Sequence, residues 1–74
     1  MKYTNIEDLI NHSGNISIGR VGSTKFAAVA CDEHQCLAML ARKPSESLMD
    51  LLKRLDSAID DAYEQQIFLD EING

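Results

Sequence analysis

The sequence predicts an α+β domain: a short N-terminal helix, a three-stranded antiparallel β-meander, and a long amphipathic C-terminal helix packed on one sheet face. Three observations carry this. Apolar residues at helical spacing run from Leu48 to Tyr63. Three short apolar segments lie between residues 15 and 42, divided by a Gly-Ser pair and by a polar loop. Length allows one domain at most, spanning 1–74.

The first helix begins with Thr4-Asn5-Ile6-Glu7, which reads as a capping box. The Thr4 hydroxyl would accept from the amide at Glu7, and the Glu7 carboxylate would reach back to the amide of Thr4. Ile6, Leu9 and Ile10 follow on one face, and Gly14 supplies a C-terminal stop. The first strand is expected over Asn15–Val21, with Gly19 marking a bulge or a close-packing point. Gly22-Ser23 fits a two-residue hairpin turn with glycine first, as a type II′ turn requires. Strands at Lys25–Cys31 and Cys36–Arg42 flank the loop Asp32-Glu33-His34-Gln35, and Pro44 ends the extended run. Ser45 or Ser47 caps the long helix, expected to run for about 18–20 residues. Asp50 and Arg54 fall at the i,i+4 spacing of an ion pair. Ile67-Phe68-Leu69 either extends the helix or turns back as an edge strand; an extended tail is the expectation.

The two inner strands are apolar on both faces, whereas an antiparallel sheet wetted on one side alternates polar and apolar. One long helix covers one face only. Either the first helix, the tail and small alanines close the other within a monomer, or a homodimer buries it or pairs edge strands. Phe26, Leu37 and Met39 are the candidate apolar face for a second copy or a partner.

The net charge of −5 disfavours direct nucleic-acid binding and an anionic membrane surface. The charge is uneven. All seven Lys and Arg lie in residues 1–54, while residues 55–74 carry Asp56, Asp60, Asp61, Glu64, Asp70 and Glu71 and no base. Asp56, Asp60, Asp61 and Glu64 are therefore the candidate partner-binding acids on the helix, read against the plainer alternative of a solvated face. No apolar run is long enough to span a bilayer, and acids near the start disfavour a signal peptide, so a cytoplasmic location is expected.

Nothing catalytic is expected. His12 and His34 read as solvated loop histidines. Gly19 to Lys25 lacks the order of a phosphate loop, which requires G-x-x-x-x-G-K-[ST] ahead of a helix. Cys31, His34 and Cys36 form C-x2-H-x-C across the hairpin loop. They open the alternatives of a metal or redox site against two small buried, reduced cysteines. A structural zinc site would need a fourth ligand. No cofactor is expected.

Lys43-Pro44-Ser45-Glu46-Ser47-Leu48, Leu52-Lys53-Arg54-Leu55-Asp56 and Asp70-Glu71-Ile72-Asn73 resemble small proteins carried by bacteriophages and prophages. The pattern is R-L-D-x-A-I near the middle and D-E-I-N near the end. The resemblance implies host-takeover or anti-defence factors, anti-CRISPR proteins among them. Such proteins act by stoichiometric binding, occluding a basic nucleic-acid channel or bridging subunits. An antitoxin-like or structural regulatory subunit that binds through the apolar face is the alternative. The resemblance transfers no functional residue.

Overall fold

The computed structural model describes residues 3–73. Met1, Lys2 and Gly74, which the single-domain expectation includes, lie outside the described residues. The order of elements is α1 (Thr4–Asn11), β1 (Asn15–Val21), β2 (Thr24–Cys31), β3 (Cys36–Ala41), α2 (Leu48–Gln65) and β4 (Leu69–Asp70). The fold is α+β, but the sheet is not a three-stranded meander. β4 pairs with β3 in parallel, giving a four-stranded mixed sheet in the order β1-β2-β3-β4. The long α2 carries the chain from the end of β3 back alongside it, the crossover that a parallel pair needs, so the tail runs in the direction of β3.

Local chemistry sets most boundaries. Ser47 caps α2, its hydroxyl accepting from the Asp50 amide at 3.1 Å. Gly22 takes φ +59 at the first turn position between β1 and β2, and Gly19 takes φ +121 where the pairing slips between Gly19 and Val21. The start of α1 differs from the expected capping box. Thr4 is already helical, Tyr3 stands at the N-cap, and no side chain of α1 caps it. At the other end Ser13, not Gly14, takes the left-handed backbone (φ +69). Gly14 serves a different need: a Cβ there would fall on the side chain of Leu9.

Register explains the core. Ile16, Ala30 and Ala38 lie in one row across the strands, and Ile18, Ala28 and Leu40 in the next. Apart from Ile18, which is exposed, this face packs against Leu51, Leu55, Ala58, Ile59 and Ala62 of α2 and Leu9 of α1. Alanines at the centre of β2 let the helices approach closely. Both helices therefore contribute to one core on one face, and α1 does not cover the other. The second face carries Ser17, Val29 and Met39 in a row beside Gly19, Ala27 and Ala41. The tail meets it at the edge, where the Glu71 amide donates to the Met39 carbonyl at 2.7 Å beside the β3–β4 pairing and the Asn73 side-chain amide reaches Met39 Sδ.

A second slip between Ala30 and Cys31 places Leu37 in the core, with 1% of its surface exposed. Phe26 packs against the same core, while Met39 lies on the opposite face. Phe26, Leu37 and Met39 thus form no common surface, and the apolar face expected from them is corrected.

Candidate functional site

The exposed face of α2 divides into a structural half and a free half. In the structural half, Arg54 was expected to pair with Asp50. It instead joins three separate segments. Its Nε and Nη2 donate to the Glu46 carboxylate at 2.6 and 2.9 Å, its Nη1 to Glu71 at 3.0 Å, and its Nη2 also to the Ala41 carbonyl at 2.9 Å. Asp50 stands 4.0 Å from Lys53. The guanidinium holds the Glu46 carboxyl down to about 2 and is itself pushed upward. Glu71 also accepts from the Ala41 amide, so this node fixes the exit of β3, the loop before α2 and the tail at once.

Asp56 belongs to the scaffold as well. Its Oδ1 accepts from the Ile6 amide at 2.9 Å and its Oδ2 from the Asn5 side chain at 3.0 Å. An unsatisfied amide in the first turn of α1 is thus capped by a carboxylate from α2. Sequence spacing could not show this, because donor and acceptor lie fifty residues apart.

The free half holds the remaining acids. Asp60 and Glu64 are exposed. Asp61 is half-buried, where it lines a cavity of about 340 Å³ with Lys53, Ser57 and Leu69. Tyr63 is 56% exposed between the acids. Partial desolvation, with the nearby Asp32 charge adding to it, raises the Tyr63 phenol above its ordinary value. The hairpin loop between β2 and β3 therefore adjoins this part of α2. Gln66 then turns the chain through a left-handed conformation, and Ile67, Phe68 and Leu69 emerge 44%, 45% and 39% exposed. Asp60, Tyr63 and Glu64 follow the i, i+3, i+4 spacing of one helical face; Ile67 and Phe68 lie beyond the end of α2. The end of α2 and the segment after it thus expose apolar side chains near Asp60 and Glu64, while Asp61 shares its cavity with Lys53. The acids were legible in the sequence; the exposure of Tyr63, Ile67 and Phe68 was not.

Cys31 and Cys36 are joined as a disulfide with Cα atoms 3.8 Å apart. The reading of two buried, reduced cysteines is corrected, since Cys31 is half-buried and Cys36 exposed. The hairpin loop brings the two residues opposite each other as a cross-strand pair. His34 is exposed nearby, its amide donating to Asp32 Oδ1 at 2.7 Å. Joined to each other, the sulfurs offer no thiolate to a metal. Among the described residues no cluster of His, Cys, Asp and Glu is arranged to hold one, and no helix is long and apolar enough to cross a membrane. No protein-family model, curated protein or solved structure matches the chain.

Proposed function

We propose that this protein is a small stoichiometric binding module of the phage inhibitor type. It acts in a host cytoplasm and engages a basic surface of a host macromolecule through the second half of α2. Asp60, Asp61 and Glu64 form the charged rim, and Tyr63, Ile67 and Phe68 the apolar centre. The observation that carries the reading is the exposure of Tyr63, Ile67 and Phe68 at the end of α2 and just beyond it, where Asp60 and Glu64 are exposed as well. An apolar centre with a polar rim is the ordinary anatomy of a protein interface. Carboxylates at the C-terminal end of a helix oppose its dipole, a local cost that a basic partner relieves. Asp56, engaged with α1, drops out of the contact set. A homodimer remains part of the proposal, with the unpaired outer edge of β1 as its contact.

The test is affinity capture from a bacterial host lysate at low and high salt, using the wild type beside a D60N/D61N/E64Q variant. A single partner, bound by the wild type at low salt and lost both at high salt and in the variant, is the expected result. A partner held equally by both proteins at either salt would sink the acidic-face reading. Light scattering of the purified protein reports monomer or dimer.

A further inference from the structure

The spacing C-x4-C places both cysteines at the last pair of the β2–β3 ladder, where the hairpin opens into its loop. A bridge there closes a short ring, and short rings constrain the unfolded chain least. The hairpin has other means of holding its register. Ala27 to Ala30 pair with Ala41 to Ala38, the Asp32 amide donates to the Gln35 carbonyl at 2.8 Å, and Asp32 Oδ1 accepts from the amides of His34 and Gln35 at 2.7 and 2.8 Å. The register of the hairpin is thus set by contacts besides the bridge. The two residues also differ in exposure: Cys36 is exposed and Cys31 half-buried.

We infer that the Cys31–Cys36 pair is a thiol–disulfide exchange site at the hairpin tip, with Cys36 the sulfur attacked and Cys31 the resolving thiol. This does not rest on the acidic-face reading. Exchange follows access and the character of the leaving thiol. An incoming thiolate bonds to Cys36 Sγ, the Cys31–Cys36 bond breaks, and Cys31 leaves as a thiolate that takes a proton from water. With a dithiol reductant, its second thiolate then attacks its own sulfur in the mixed disulfide and releases Cys36. The protein gains two electrons and two protons, and the dithiol is oxidised to its disulfide. In a reducing cytoplasm the thiol pool sets the state of the tip.

The full chain is treated with dithiothreitol without denaturant, and free thiols and circular dichroism are followed together. Both thiols are expected to appear with the spectrum unchanged. A brief exposure to glutathione, quenched in acid and mapped by mass spectrometry, is expected to place the adduct on Cys36 of the wild type. In single-cysteine variants, C31S is expected to react with dithiobis(nitrobenzoate) several-fold faster than C36S. A bridge that opens only in denaturant, an adduct on Cys31, equal reactivity of the two thiols, or failure of reduced protein to close the bridge with oxidised glutathione would each overturn the assignment. The wild-type mapping decides the matter even where a variant fails to fold.

Discussion

Replacing Asp56 by alanine tests whether the acidic helix serves the fold as well as a partner. The substitution leaves the Ile6 amide without its acceptor and the Asn5 side chain without its anchor, at bonds of 2.9 and 3.0 Å. Loss of a helix cap costs about 0.5–2 kcal/mol, and a hydrogen bond to a charged group contributes about 1.5–3 kcal/mol. A loss of about 1–2 kcal/mol is therefore expected. A core of this size supplies roughly 3–5 kcal/mol in total, so the loss is a large fraction of the whole. At about 4–8 °C per kcal/mol for a domain of this length, Tm falls by about 4–16 °C. The assay is urea denaturation, where the midpoint drops with the m-value unchanged. Asp60→Ala, on the exposed face four residues on, is the control and stays within about 0.5 kcal/mol of wild type. If the two variants unfold at the same midpoint, the cap from α2 to α1 is not a stabilising contact and the division of the acids into structural and free sets fails.

Three further outcomes follow from the geometry. Glu46 is depressed in the folded state from its ordinary 4.5 to about 2, so its contribution is fully present above 4.5 and is lost as pH falls towards 2; Arg54→Met should flatten that acid limb, which urea midpoints above and within the window will read. Equal acid sensitivity in variant and wild type would remove Arg54 from the account. Gly14→Ala drives a methyl group into Leu9 and should cost about 1–3 kcal/mol by overpacking, measured by thermal unfolding; a neutral result would mean that the turn after α1 yields freely. Leu55→Ala empties a fully buried site facing the sheet and should cost about 2–5 kcal/mol, enough to leave the chain largely unfolded by circular dichroism at room temperature.

What the sequence disclosed was local. Gly22 at the turn, the Ser47 cap, the bounds of β1 and the middle of the apolar stripe of α2 each depend on neighbours within a few residues, and each stands where expected, whereas Leu48 and Tyr63 at the ends of the stripe are exposed. Where distant groups competed, local rules lost. Thr4 and Glu7 lost the first turn of α1 to Asp56, and Asp50 lost Arg54 to Glu46 and Glu71. Leu37 changed faces because one slip in pairing inverts the alternation, and alternation alone cannot reveal a slip. The tail was ambiguous because two residues of β4 carry little strand signal of their own; the open side of β3 supplies their partners. Of the candidate site, Asp60, Asp61 and Glu64 were visible as a charge run, but the exposure of Tyr63, Ile67 and Phe68 depends on how the core packs and where α2 ends.

The parallel pairing of β4 with β3 has a consequence for how the chain is born. β3 reads Cys-Leu-Ala-Met-Leu-Ala, six residues without a charge or a proline, the composition of a segment that stacks readily on copies of itself. Its outer side is covered by only two residues, which leave the ribosome after all of α2 has been made. Throughout that interval this apolar edge lacks its β4 partner, and it closes when Glu71 reaches Arg54 and the Ala41 amide. Loss of Leu69, Asp70 and Glu71 would then show first as poor yield and inclusion bodies, before any deficit in the folded protein could be measured.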